Sequence, residues 1–284
     1  YNTRTPRIFA DIDRVRAEQL GVPAERVTET LEVYLGSAFV NDFNFIGRTY
    51  RVTAQADGRF RDELPEVRRY ALAAVGEARD DAAAAAVRLF YAVRDDIWYD
   101  PYVPFYRPGH YLASRVLESR RGFCISKAGL LCALGRACGI PSRLGFADVR
   151  NHLATRELIA RMGGDLFVYH GFTEFYLGGK WIKATPTFNQ ELCRKHRVAP
   201  LEFDGRSDAV FQPFNLEAAQ YMTYVRYHPP QADIPLEAIL TAWRAAYGRD
   251  RVESWIAAIE AAGGRSAQDF DRETVWRGPQ NSQS

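Results

Sequence analysis

The stretch Ser119-Arg120-Arg121-Gly122-Phe123-Cys124-Ile125-Ser126-Lys127-Ala128-Gly129-Leu130-Leu131-Cys132-Ala133-Leu134-Gly135-Arg136-Ala137-Cys138-Gly139-Ile140-Pro141-Ser142-Arg143 decides how this chain is read. Gly122 lets the backbone turn sharply just before a cysteine. Ser126 to Ala137 then reads as an Ala/Leu-rich helix stopped by Gly139 and Pro141. Cys124 is thereby predicted at a helix N-terminus, where unpaired N–H groups and the positive end of the macrodipole favour an anion. A thiolate should form there more easily than its reference pKa of about 8.5 suggests. The competing reading is that a cysteine between Phe and Ile is a small buried hydrophobe. Cys132, inside the apolar helical pattern, and Cys138, at its end, are assigned to packing on that ground.

Working outward, Phe167 to Leu177 and Lys180 to Thr187 are aromatic and β-branched runs flanking Gly178-Gly179, a β-hairpin signal. With a two-residue turn, Leu177 faces Lys180 and every cross-strand pair sums to 357. His170 then faces Thr187, with Thr185 as its diagonal neighbour about 7 Å away on the same face. A side chain at position 185 could therefore orient the imidazole.

A helix-borne cysteine followed by a histidine and an orienting residue on adjacent strands resembles the transglutaminase-like superfamily. The matching residues are Arg121-Gly122-Phe123-Cys124, Gly139-Ile140-Pro141-Ser142-Arg143, His170-Gly171-Phe172-Thr173-Glu174, Trp181, and Thr185-Pro186-Thr187. The match runs from about Pro65 to Tyr227. The resemblance implies an α+β papain-like fold, a helical part carrying the nucleophile packed on an antiparallel sheet. It also implies Cys124 as nucleophile and His170 as base in acyl transfer on a peptide or protein amide, by a cysteine peptidase, amidase or transglutaminase, with no cofactor and no metal. The chain departs from the family at Thr185, where most members carry Asp. A carboxylate would hold the imidazole by a charge-assisted bond, and a hydroxyl offers only a neutral one. Asp148, Asn151 and Asn189 are other candidates for that third role, while Glu174, about 13 Å along the strand, is too far. The alternative to an enzyme is a catalytically silent binding domain of the same fold.

Composition bounds the rest. With 47% hydrophobic and 13% aromatic residues, 284 residues can bury a substantial core. A net charge of +2 gives no argument for nucleic acid. Four cysteines without metal-like spacing favour neither zinc nor a disulfide framework, so a reducing, cytoplasmic setting is expected. No apolar run is long enough to cross a membrane. His152 reads as a loop or ion-pair histidine. Cys193 and His196, at i and i+3, lack the further ligands a metal needs. Tyr99 and Tyr102 read as core or rim aromatics.

Three segments are predicted: 1–62, a small β-α-α-β accessory unit; 63–230, the catalytic domain; and 231–284, a helical hairpin with a disordered tail. In the first, Arg7 to Asp13 and Thr49 to Ala56 alternate as strands around two short helices. Gly36 to Phe43 and Gly47 to Val52 resemble part of the periplasmic docking region of resistance-nodulation-division efflux pumps. Without that family's membrane helices and proton-relay residues, transport is excluded for this chain alone. An accessory module, or a surface for self-association or partner docking, is what remains.

Overall fold

The computed structural model describes residues 21, 23, 26, 38–45, 48–54, 64–152, 154–211, 222–264 and 270–273, with backbone alone at 38–45, 48–54, 64, 65 and 271. The chain separates into two compact units, Tyr1–Leu64 and Pro65–Ser284. In the first, β1 (Ala38–Phe45) and β2 (Arg48–Ala54) form an antiparallel hairpin with an irregularity between Phe39 and Asn41. β2 is the expected strand near 49–56. Its partner at 38–45 was not read from the sequence, and the predicted strand at 7–13 and the two helices before residue 36 lie outside the described residues or nearly so.

The second unit opens with α1 (Leu64–Val75), a 3-10 turn at Gly76–Asp80, and α2 (Ala82–Asp96). Asp81 caps α2 by accepting the N–H groups of Ala83 and Ala84 at 2.9 and 3.0 Å. Val93, Phe90, Leu89 and Ala86 form its buried stripe. β3 (Trp98–Tyr99) pairs in parallel with β4 (Arg121–Gly122), which follows α3 (Ala113–Ser119). That short pairing delivers the chain to α4 (Cys124–Ala137).

The main sheet comprises β5 (Ser142–Asn151), β6 (Leu166–Leu177), β7 (Lys180–Ala184) and β8 (Met222–Tyr227), ordered β7-β6-β5-β8 and antiparallel throughout. The β6–β7 turn is Gly178-Gly179, both in the left-handed region at φ +56° and +83°. Leu177 faces Lys180 and Thr173 faces Ala184, the register in which pairs sum to 357. β7 nevertheless ends at Ala184, short of the predicted Thr187, because the N–H of Thr185 turns away to the carbonyl of Ala209 at 3.1 Å. Ala184 and Ala209 meet in an isolated parallel bridge.

α4 lies on the face of the sheet. Thr173 of β6 donates its hydroxyl to the carbonyl of Ala128 at 2.8 Å, and Phe146 of β5 is buried in the same cluster as Ile125, Ala128 and Cys132. This is the α+β, papain-like arrangement: a helical part carrying the cysteine packed on an antiparallel sheet carrying the histidine. α5 (Arg156–Met162) and α6 (Gln190–His196) flank the sheet. α7 (Leu236–Tyr247) and α8 (Arg249–Ala261) bury Ile239, Leu240, Val252 and Ile259 in the cluster that holds Phe146. No helix among the described residues is long and apolar enough to cross a membrane.

One polar clasp ties the helical part together. Lys127, fully buried on α4, donates to the carbonyls of Arg94 and Ile97 at 3.0 and 2.5 Å. Asn189 donates to the same two carbonyls at 2.7 and 2.9 Å and accepts the N–H of Tyr99 at 2.8 Å. The end of α2, β3, α4 and the start of α6 thus share one set of hydrogen bonds. Asn189→Ala orphans the buried Tyr99 N–H and is expected to lower unfolding free energy by about 2–3 kcal/mol. Urea denaturation of both proteins measures this, and a loss below about 0.5 kcal/mol would show the clasp to be redundant.

Candidate active site

Cys124 occupies the first helical position of α4, two residues earlier than the sequence pattern suggests. Phe123 stands before it in extended conformation, φ −111° and ψ −174°, and Ser126 Oγ accepts the Phe123 N–H at 3.0 Å. This ties down the turn that presents the cysteine at the start of α4, where the N–H groups of Cys124 and Ile125 favour a negative charge on the sulfur. A third N–H comes from Gly171 of β6. At Gly171 the strand runs so close to the helix that an added Cβ would lie 2.9 Å from the Ile125 Cα and 3.4 Å from its nitrogen. Glycine is the residue that admits this approach, and His170 is the residue before it on β6.

Three N–H donors favour the thiolate, as the sequence reading expects, but they do not decide the balance. Burial is the larger influence and pushes the Cys124 thiol up to about 11. Burial likewise pulls His170 down to about 4. Both shifts favour the neutral thiol and the neutral imidazole over the charged forms that a helix N-terminus alone suggests. Cys124 itself is half-buried, and Tyr111, Tyr224 and Tyr247 are each close enough to feel a charge on its sulfur.

His170 is buried, its ring 5.6 Å from that of Phe211 at 49°, and its Nε2 makes no hydrogen bond. Thr185 is 1% exposed, and its hydroxyl too lacks a hydrogen-bond partner, as does that of Thr187. Thr185 lies beside the Tyr224 hydroxyl, just outside hydrogen-bond geometry, and the Tyr224 oxygen accepts the Phe211 N–H at 3.3 Å. Among the described residues no hydrogen bond links His170 to Cys124 or to Thr185. The structure thus brings the segment bearing His170 to Cys124 and buries Thr185 without engaging it.

The other candidates for the third role are committed elsewhere. Asp148 binds His228 and Arg226. Asn189 belongs to the clasp, and Asn151 lines a separate cavity with Thr155 and His196. Glu174 is paired with Arg143. His152 bonds Thr223 at 3.2 Å and pairs with Asp165, as an ion-pair histidine should. Tyr99 and Tyr102 are core, the latter bonded to Glu273. No cluster of three or more His, Cys, Asp or Glu side chains among the described residues could hold a metal. His228 and Arg226 escaped the sequence reading, since nothing in the strand pattern of 222–227 marks them as partners of Asp148.

Residues 68–186 match the family profile of the Transglutaminase-like superfamily. A separate similarity links the chain to the multidrug export protein AcrF of Escherichia coli, 37% identical over 62 residues. That stretch is 22% of this chain and 6% of AcrF. Among solved structures, a candidate cysteine protease from Cytophaga hutchinsonii is 16% identical, covering 68% of this chain and 77% of that one at a TM-score of 0.33, too loose a likeness to bear on the fold.

Gly171→Ala tests the close approach. The added methyl meets helix backbone, so strand and helix must part, with an expected loss of about 1–3 kcal/mol of stability and altered alkylation of Cys124 by iodoacetamide. Wild-type stability in this variant would refute the geometry.

Proposed function

Residues 68–186 belong to the transglutaminase-like superfamily, and from that premise we propose that this chain carries out thiol-dependent acyl transfer on peptide or protein amides, with Cys124 as nucleophile and His170 as base. The observation that carries this reading is the convergence at Gly171, which gives a helix-borne cysteine three backbone N–H donors and a histidine one residue from the point of contact. With both groups neutral at rest, the imidazole takes the thiol proton as the sulfur attacks the amide carbonyl carbon. The negative charge passes to the carbonyl oxygen, where the Cys124 N–H is a donor in position to receive it. Collapse breaks the carbon–nitrogen bond, the imidazolium returns its proton to the departing amine, and a thioester remains. Water or a second amine, deprotonated by His170, releases the acyl group. Thr185 is assigned the orienting role that a carboxylate fills in most members, and the 1–62 segment that of an accessory module.

A second reading is favoured by a specific observation. The hydroxyl of Thr185 and the Nε2 of His170 both lack partners, and burial opposes the thiolate, as fits a catalytically silent binding domain. Exposure to glutamine-containing peptides and amine donors, followed by mass spectrometry of the Cys124 peptide, separates the two. The enzyme reading requires an acyl adduct that is absent in His170→Ala, and a folded wild type that never carries one sinks it.

The effect of burial on the two groups gives a further expectation. Because Cys124 is raised and His170 lowered, the thiolate population grows through pH 9 and beyond. Iodoacetamide alkylation of Cys124 should therefore keep climbing toward pH 11 instead of levelling near 9, the ordinary thiol value. Thr185→Asp stabilises the imidazolium, lifts His170 from about 4 toward its ordinary 6.5, and is expected to raise alkylation at pH 7 several-fold. Lower reactivity in a folded Thr185→Asp protein would remove position 185 from the orienting role.

A further inference from the structure

Tyr169, the residue immediately before His170, has φ +60°. A bulky side chain in the left-handed region is a strained backbone that persists only where its surroundings over-determine it. Those surroundings converge on Asp148. The carboxylate Oδ1 accepts the Tyr169 N–H at 3.1 Å and is 2.7 Å from the His228 Nε2. Oδ2 is held by Arg226, with Nε at 3.1 Å and the terminal nitrogen at 2.8 Å. The His228 ring in turn stacks on the Tyr169 ring at 4.0 Å and 20°. Asp148 sits at an irregularity in the pairing of β5 with both of its neighbours, the kind of bulge that re-aims side chains beside functional sites. One residue further back, the Val168 N–H donates to the Tyr247 hydroxyl at 2.7 Å and its carbonyl accepts from Trp243 Nε1 at 2.8 Å, both from α7.

We infer that Asp148 is a positioning residue for His170: by holding the Tyr169 N–H it locks the left-handed turn from which the imidazole is aimed at Cys124. The inference rests on the Cys124–His170 reading above. It assigns to this chain a carboxylate that serves the histidine through the backbone, where position 185 offers only a hydroxyl to the ring. His228 and Arg226 keep the carboxylate ionised and in place. Burial works against its charge, but the His228 and Tyr169 hydrogen bonds and the nearby Arg226 guanidinium outweigh burial and hold Asp148 below the usual carboxylate range.

The test uses the full chain with two readouts, iodoacetamide alkylation of Cys124 by mass spectrometry and titration of the His170 ring by NMR, each against wild type and His170→Ala. In Asp148→Ala the ring is expected to leave its buried position. Its titration should move from about 4 toward 6.5, and the His170-dependent part of alkylation should fall about tenfold or more. Asp148→Asn keeps an oxygen for the Tyr169 N–H and should stay within about threefold of wild type, a rescue that a merely structural role for the charge would not produce. A folded Asp148→Ala with unchanged titration and alkylation overturns the inference, and so does an Asp148→Asn as impaired as Asp148→Ala. Should Asp148→Ala fail to fold, Tyr169→Asn against Tyr169→Val decides. Asparagine tolerates the left-handed backbone and valine does not, so only valine should shift the titration, and equal effects overturn the inference. If His170→Ala leaves Cys124 alkylation unchanged, the Cys–His reading fails by itself, while the NMR titration still judges the positioning.

Discussion

The approach of β6 to the first turn of α4 is the contact on which the rest depends. Two backbones meet there with only hydrogens between them, since a methyl group at Gly171 would lie 2.9 Å from a helix Cα. Packing interiors are too dense to yield around such a clash. The absence of one side chain therefore sets the distance between a helix and a strand, and with it the relation of Cys124 to the residue before Gly171. Thr173, two residues on, continues the contact with a hydrogen bond to the carbonyl of Ala128. The sheet can hold this line because β6 is central, paired to β5 on one side and β7 on the other.

The same closeness governs the electrostatics. Nearby backbone N–H groups of the helix start and of β6 favour the thiolate, yet they come with enclosure of the sulfur, and enclosure penalises the charge more than they favour it. His170 pays a like penalty for its imidazolium. Both shifts push in one direction, toward the uncharged thiol and the uncharged imidazole.

Much of this was legible in the residues. Gly178-Gly179 between two β-branched and aromatic runs fixed the hairpin register through turn chemistry that is local to the chain. The Gly139-Pro141 stop ended the helix by an equally local rule, with Gly139 left-handed, while Gly122 proved to be part of a short strand and not a sharp turn. What escaped is non-local. β7 stops at Ala184 because Ala209 takes the next N–H, a competition between segments 24 residues apart that no strand propensity encodes. Asn189 looked like a candidate for the site and is a clasp, since its partners Arg94, Ile97 and Tyr99 lie some 90 residues earlier. His228 drew no attention because its partner, Asp148, is 80 residues away.

Asp148 shows why such residues are hard to read and still consequential. In an alternating strand its side chain would simply point to one face. The irregularity in pairing between Ala147 and Val149 instead turns it toward the backbone of the neighbouring strand, where it accepts an N–H that would otherwise belong to the ladder. The strand opposite answers with a left-handed Tyr169, and the strain of that residue is held by a carboxylate, a stacked imidazole and two hydrogen bonds from α7 to Val168. Those restraints come from three elements other than β6 itself, namely β5, the segment after β8 with His228, and α7, and they meet at the two residues preceding His170. A histidine placed by one strand alone could swing with it. Here the backbone leading into His170 is held by three other elements as well as by its own strand.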